Sequence, residues 1–205
     1  MRHDSQPPSV DDPEDRALRE LVAAGEIDRA TEAAIRRYGP ELLGWLLDTL
    51  PRADAEEAFS NLSLELWRSL ARYDGRCSIR TWCYTLARHA AWRIRARPQH
   101  GREVLVSHIP SVLAAVHQAR DTTQRRERVA GALFAEIRRT LGEEDQALLV
   151  LRIDRSLPWR DIAHILLGET TPADELTRYA AHLRKRFERI KIRLREVAVD
   201  RGLGG

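Results

Sequence analysis

A chain of 205 residues with 43% apolar and 32% charged residues has the balance of an ordinary globular protein and can form one or two cored domains. No apolar run approaches the roughly 18 residues that a membrane span requires, and the acidic, proline-rich N-terminus is unlike a signal peptide. We therefore expect a cytoplasmic protein without membrane insertion.

The charge is segregated along the chain although its net value is only +3. Residues Met1 to Trp67 carry fifteen acids against seven bases, whereas Gly75 to Arg102 carry seven arginines and no acid. Such asymmetry indicates partners better than the total charge does. One acidic and one arginine-rich segment side by side indicate two different partners.

The N-terminal third is expected to begin with a flexible acidic tail over residues 1–22. A helix through about Leu50 would follow, with Asp28 as its cap and a break or bend at Gly39-Pro40. Pro51 would close this helix.

Two amphipathic helices between Asp54 and Pro98 organise the first domain. The first shows a capping box at Asp54 and Glu57, and the second follows a turn at Asp74-Gly75-Arg76. Apolar residues recur every three or four positions on both helices, which predicts one buried stripe on each. The stripes comprise Phe59, Leu62, Leu66, Leu70 and Tyr73 on the first helix, and Ile79, Trp82, Leu86 and Ala90 on the second.

The opposite face of the second helix mixes aromatic and arginine side chains. At about 100° per residue it carries Thr81, Tyr84, Arg88, Trp92 and Arg95. Unstacked bases stack on exposed aromatic rings that are interleaved with arginines. The alternative for Trp92 is packing against a neighbouring helix.

We predict an all-α protein with two small helical domains joined by a linker. The helical bundle spans residues 23–99, the linker 100–124 with one short helix around Val112 to Gln118, and the second domain 125–205. The second domain would contain a helix to Leu141, a helix with Leu148, Leu149, Leu151 and Ile153 on its inner face, a short helix from Pro158 to Gly168, and a long last helix.

The last helix has a sustained heptad and a basic exterior. The heptad comprises Leu176, Ala180, Leu183, Phe187, Ile190, Leu194 and Val197. A short helix, a glycine-containing turn and a basic helix are the plan of a DNA-binding helix-turn-helix. Candidate DNA contacts are Arg178, Arg184, Lys185, Arg186 and Arg189. The alternative is a solvated bundle face.

The sequence contains no motif that is typical of catalysis or metal binding. Cys77 and Cys83 match no metal or redox spacing, and the histidines lie apart from other ligand types. No phosphate loop, nucleophile elbow or paired catalytic carboxylate is present. We expect no enzyme, no metal and no cofactor.

The chain resembles the bacterial sigma factors of the extracytoplasmic-function type over about Asp28 to Pro98 and Val129 to Leu194. The residues that carry this resemblance are Leu66-Trp67, Arg80-Thr81-Trp82 and Leu86-Ala87-Arg88, followed across the linker by LPWRDIAHIL and LRKRFERIKIRLRE. The resemblance implies a transcription initiation factor that binds core RNA polymerase, directs it to promoters and helps to open promoter DNA. An anti-sigma factor is a further partner that it allows.

The resemblance also implies roles for individual residues. The helix from Asp54 would bind polymerase, through Asp54, Glu56, Glu57, Asn61 and Glu65. Promoter opening at the upstream hexamer nearest the start site would involve Arg80, Tyr84, Arg88, Trp92 and Arg95. The last helix would enter the major groove of the more distant promoter element.

Three features depart from the family pattern. Ser60-Asn61 stands where Gln-Glu is usual, and His89 and Arg93 stand where Asn and Asp are usual. The connection between Gly168 and Leu183 exceeds the usual turn, so the last helix either extends back to Pro172 or follows a separate element. The unbroken heptad favours extension. A stand-alone helix-turn-helix regulator remains the alternative function, and a nucleic-acid enzyme is disfavoured.

Overall fold

The computed structural model describes residues 12–97, 141–168 and 170–200. These residues form helices, and no strand occurs among them, which confirms the all-α fold class. They belong to two compact units, one in the N-terminal and one in the C-terminal part of the chain. The expected linker with its short helix lies outside the described residues.

In the described residues of the first unit, four helices form a bundle. They are α1 (Pro13–Ala23), α2 (Ile27–Thr49), α3 (Arg52–Ser69) and α4 (Ile79–Arg95), with a 3₁₀ turn (Leu70–Arg72) after α3. Helix α4 packs against the other three helices, and α2 packs against α1 and α3. Because α4 has three neighbouring helices, little of its surface is left exposed to solvent.

Helix α1 lies where a flexible tail was expected, so that expectation is wrong for residues 13–22. The Asp12 side chain accepts the N–H of Glu14 at 3.0 Å, and Pro13 occupies the first helical position. Proline and acids are favourable in a first helical turn, although the same composition is typical of a tail. Residues 1–11 lie outside the described part of the chain.

Helix α2 is continuous through Gly39-Pro40, where a break or bend was expected. An internal proline costs about 3 kcal/mol because it removes one backbone donor and crowds the preceding turn. Burial of Tyr38, Leu42 and Leu43 on both sides of the proline offsets this cost. The helix begins one residue before Asp28, which therefore lies in the first turn and is not its cap.

Helix α3 begins at Arg52, directly after Pro51, and has no side-chain cap. The predicted capping box is wrong because Asp54 already lies inside the first turn. The predicted apolar stripe is confirmed, since Phe59, Leu62 and Leu66 are buried together with Leu70 of the following turn. Trp82 is buried as predicted, and its ring packs edge-on against Tyr73 with the centroids 5.7 Å apart.

The second unit contains α5 (Glu143–Leu149), a π-helical turn (Val150–Asp154), α6 (Trp159–Leu167) and α7 (Ala173–Asp200). The wide turn adds a residue to the helical repeat, so Ile153 is exposed and not on the inner face as predicted. Gly168 ends α6 with φ of 101°, a conformation that glycine adopts without strain, as predicted for its C-cap.

Helix α7 is continuous from Ala173, which confirms that the last helix extends back to the Pro172 region. Five heptad residues are buried against the rest of the unit: Leu176, Ala180, Leu183, Phe187 and Ile190. The Phe187 ring packs edge-on against Trp159 of α6 with the centroids 5.3 Å apart. Leu194 and Val197 are only half-buried. The predicted helix before Leu141 lies outside the described residues.

Candidate nucleic-acid and protein interfaces

The C-terminal half of α4 presents an aromatic ring among arginines. The Trp92 side chain is 69% exposed, and Arg88 and Arg95 lie one turn before and after it on the same side of the helix. Arg93 is also exposed. We call Arg88, Trp92, Arg93 and Arg95 the Trp92 surface. It contains three of the five residues predicted for the open face, namely Arg88, Trp92 and Arg95, together with Arg93.

Tyr84 does not belong to this surface, contrary to the prediction. The residue is fully buried, and its ring packs edge-on against Trp45 of α2 with the centroids 6.0 Å apart. Thr81, predicted on the same outer face, is buried too. The N-terminal half of α4 is enclosed by α1, α2 and α3, so a single-helix pattern cannot separate an inner from an outer face there.

Arg80 is engaged inside the bundle. Its Nε and Nη2 donate to the two carboxylate oxygens of Glu41 at 2.8 and 2.9 Å, and its guanidinium lies 6.0 Å from the centre of the Tyr84 ring. A planar guanidinium with a two-point carboxylate partner is held in a fixed orientation. The structure therefore places Arg80 between α4 and α2, away from the Trp92 surface.

Arg95 is exposed but also has a partner in the bundle. Its Nη2 donates to the carbonyl oxygen of Thr49 at 2.7 Å. That carbonyl belongs to the last residue of α2, where carbonyl groups lack partners within the helix and a positive charge is favourable. Arg95 thus joins the C-terminal ends of α2 and α4.

The N-terminus of α4 is capped from a distant part of the chain. Ser78 accepts the N–H of Thr81 at 3.0 Å, and Asp15 of α1 accepts the N–H of Ile79 at 2.7 Å. Asp15 also pairs with Arg19 at 3.2 Å. Burial raises the pKa of Asp15 above its ordinary value, while the backbone donors and Arg19 act in the opposite direction. This cap was not predicted, because the composition around Asp15 is typical of a tail.

Three acidic residues of the predicted outer face of α3 are buried or paired with arginines of the same unit. Asp54 is buried, and Glu56 pairs with Arg52 at 2.9 Å. The side chain of Glu57 is only 11% exposed and pairs with Arg97. The two other predicted polymerase contacts, Asn61 and Glu65, are half-exposed.

An apolar patch lies beside these polar residues and was not predicted. Leu64 is 42% exposed and Trp67 is 53% exposed, one turn apart on α3. The indole N–H of Trp67 donates to Asp28 of α2 at 2.6 Å, which fixes the ring on the surface. We call Asn61, Leu64, Glu65 and Trp67 the Leu64–Trp67 patch. Its signal in the sequence is that these two apolar residues fall outside the buried stripe.

The five predicted DNA contacts of α7 fall into two groups. Arg184, Lys185 and Arg189 are exposed. Arg178 pairs with Asp174 at 3.1 Å, and Arg186 pairs with Glu144 at 2.7 Å and Asp145 at 2.5 Å. Arg186 therefore ties α7 to α5. A groove of about 290 Å³ lies beside this contact and is lined by Asp145, Arg186, Arg189, Ile190 and Arg193.

Within the described part of the chain, no group of three or more Cys, His, Asp or Glu residues could hold a metal ion. Cys77 and Cys83 are buried thiols, and burial raises the pKa of Cys83. Burial and the neighbouring Arg88 and Arg93 lower the pKa of His89 below its ordinary value. None of the described helices combines the length and the apolar character needed to cross a bilayer.

Comparison with known families finds a similarity within the first unit. Residues 34–99, which include most of α2 and all of α3 and α4, match the family model of sigma-70 region 2. Within the first unit, these residues are thus similar to sigma-70 region 2. This match supports a sigma-70 family factor, with a role in RNA polymerase binding and promoter melting. No curated protein and no solved structure matches the chain.

Proposed function

We propose that this chain is a sigma factor of the extracytoplasmic-function type, which binds core RNA polymerase in the cytoplasm, directs it to specific promoters and opens them. The observation that carries the proposal is the position of the Trp92 surface on α4 of the region 2 domain. Trp92 and Arg93 are exposed near the C-terminal end of α4, where nucleic acid can reach them.

Strand opening at the upstream hexamer nearest the start site is assigned to the Trp92 surface. An exposed indole offers a flat face to any unstacked base, and stacking of this kind contributes about 1–3 kcal/mol per base. Arg88 and Arg93 would neutralise the adjacent phosphates. Arg80 and Tyr84 have no direct part in this assignment because the bundle encloses them.

Polymerase binding is assigned to the Leu64–Trp67 patch. An exposed Trp beside an exposed Leu, rimmed by Asn61 and Glu65, has the composition of the energetic centre of a protein interface. Asp54 and Glu57 are not included, since one is buried and the other pairs with Arg97. The contact would thus be an apolar centre with a polar rim and not an acidic surface.

The second unit is assigned to duplex DNA at the more distant promoter element. In support, α6 packs on α7 after a turn at Gly168, as in a helix-turn-helix, and α7 exposes Arg184, Lys185 and Arg189. Arg193 in the groove beside α5 is a further exposed cation. Arg178 and Arg186 are left out because carboxylates already neutralise them.

Run-off transcription with purified core polymerase on genomic fragments tests the proposal. The chain should co-purify with core polymerase and produce discrete transcripts that core polymerase alone does not make. A stand-alone regulator would instead bind DNA fragments without polymerase and give no start sites of its own. Failure to bind core polymerase would therefore overturn the proposal in favour of that alternative.

A further inference from the structure

Helix α4 is fastened to α1 and α2 by polar contacts at both of its ends. At its start, the carboxylate of Asp15 accepts the N–H groups of Ile79 at 2.7 Å and Arg80 at 3.4 Å. At its end, Arg95 donates to the Thr49 carbonyl oxygen at 2.7 Å. The Trp92 surface lies towards the C-terminal end of the helix.

The contact of Asp15 is unusual because the cap comes from another helix. The first N–H groups of a helix have no partner within it, and a local side chain normally satisfies one or two of them. Ser78 does so for Thr81, but the N–H of Ile79 depends on Asp15, which is only 1% exposed. Helix α1 thereby fixes where α4 begins.

The Glu41–Arg80 pair fixes the rotation and tilt of the same end. A two-point contact between a guanidinium and a carboxylate allows less rotation than a single hydrogen bond. Both side chains are about three-quarters shielded from solvent, at 23% exposure each. Asp15 and Glu41 thus hold adjacent residues of α4 from two different helices.

We propose that Asp15, Glu41 and Arg80 are positioning residues for promoter opening, which act by aiming α4 so that the Trp92 ring meets the unstacked base. This inference rests on the proposed function of Trp92. At 1.5 Å per residue, Trp92 lies about 20 Å along the helix from Ile79, so a tilt of about 5° there moves the ring by about 2 Å. A gap of 0.5–1 Å already forfeits about a quarter to a half of a van der Waals contact.

Removal of the Glu41 charge distinguishes the positioning role of Arg80 from a direct contact of Arg80 with DNA. If Arg80 binds a phosphate, the Glu41→Gln substitution frees its guanidinium and removes a repulsive charge, and DNA binding and opening should improve. If the pair positions α4, the same substitution weakens the two-point contact and opening should decline. The Arg80→Lys substitution keeps the positive charge but not the planar fork, so the positioning role predicts a decline there too.

The experiment uses the holoenzyme, which is the full chain assembled with core RNA polymerase. Permanganate reactivity of promoter thymines measures the open fraction, and the affinity of the closed complex is measured on the same promoter. We expect Glu41→Gln, Arg80→Lys and Asp15→Ala to lower the open fraction about 3- to 10-fold with closed-complex affinity within about 2-fold. Asp15→Asn, which retains the acceptor oxygen, should restore opening relative to Asp15→Ala. Glu20→Gln, on the exposed side of α1, is the matched control and should behave as the unaltered chain.

A double-substitution cycle completes the test, because positioning residues act through Trp92. Adding Glu41→Gln to Trp92→Ala should lower opening no further than Trp92→Ala alone. Additive losses, or improved opening by Glu41→Gln, would overturn the inference. A normal open fraction in Trp92→Ala would instead overturn the proposed role of Trp92 itself. Urea unfolding of each variant establishes that the comparison is made between folded chains, and Glu41→Gln and Arg80→Lys carry the test if Asp15→Ala does not fold.

Discussion

At the scale of the residue, the same side-chain type has different roles at different depths of α4. Arg80 lies inside the bundle with Glu41, Arg95 closes the end of α2, and Arg93 faces solvent. A count of arginines therefore overstates the number available to nucleic acid. The aromatic residues divide in the same way, since Tyr84 is buried and Trp92 is exposed.

Replacement of Trp92 should separate base stacking from phosphate binding. We expect Trp92→Ala to lower permanganate reactivity of promoter thymines by about 5-fold or more, because stacking contributes about 1–3 kcal/mol per base. Trp92→Phe, which retains an aromatic face, is the control and should lose less. The ring is exposed, so urea unfolding of both variants should change little. Equal opening by the Ala and Phe variants would contradict the stacking role.

The pKa of Asp15 leads to a pH dependence of stability. Burial is the main reason why the pKa of Asp15 in the folded protein lies above the ordinary 3.8. As the pH rises past 3.8, the Asp15 carboxyl therefore loses its proton in the unfolded chain before it does so in the folded chain. Ionisation then stabilises the unfolded state relative to the folded one, and the contribution of Asp15 declines as pH rises from about 4, by at most about 1.4 kcal/mol per pH unit.

We therefore expect the unaltered chain to lose stability relative to Asp15→Asn as the pH rises from 4 towards 7. The free energy of unfolding of both chains, measured in urea across this range, gives the difference directly, and the other carboxylates cancel. A difference that changes in the opposite direction would mean that the N–H groups of Ile79 and Arg80 outweigh burial.

At the scale of the element, sequence pattern predicted helices well where one face of a helix meets the core. The stripe of α3 and the buried heptad positions of α7 are examples. It did less well where a helix is enclosed, as at Tyr84, or where a π turn shifts the register, as at Ile153. It also could not anticipate contacts between distant helices, such as that of Asp15 with α4. Periodicity reports one helix at a time, whereas these features depend on its neighbours.

The proposed DNA contact of α7 can be tested by comparing its exposed arginines with a paired one. Removal of one phosphate-binding side chain should lower the slope of log affinity against log salt by about 0.9. We expect Arg184→Ala combined with Arg189→Ala to lower the slope for holoenzyme on a duplex promoter fragment by up to about 1.8. Arg186→Gln is the comparison, because Arg186 is already paired with Glu144 and Asp145.

The Arg186→Gln variant should lower the stability of the second unit by breaking its contact with α5, and it should leave the salt slope nearly unchanged. Thermal unfolding and filter binding at several salt concentrations measure the two effects on the same samples. A larger slope change for Arg186→Gln than for the Arg184 and Arg189 pair would show that a different side of α7 faces DNA.

At the scale of the whole molecule, the chain combines surfaces of different chemistry. The Leu64–Trp67 patch is apolar with a polar rim, the Trp92 surface is aromatic and cationic, and the outer side of α7 exposes Arg184, Lys185 and Arg189. Protein, unstacked bases and duplex phosphates are the respective partners that such surfaces bind. The first two surfaces lie on α3 and α4, which pack directly against each other. A polymerase-bound first unit would therefore present the Trp92 surface in a defined position.

The Leu64–Trp67 patch is the proposed contact with core polymerase, so its removal should weaken that contact. We expect Leu64→Ala combined with Trp67→Ala to weaken association with core polymerase by at least about 10-fold, since an exposed Trp and its neighbour have the character of interface hot spots. Trp67→Phe should lose less, because it keeps an aromatic ring and loses only the hydrogen bond to Asp28. Glu56→Gln is the control, because Arg52 already neutralises this carboxylate. Affinity for core polymerase, measured by fluorescence titration of labelled chain, should rank these variants in that order. If Glu56→Gln weakens binding more than the double substitution does, polymerase recognises the acidic side of α3 and not its apolar patch.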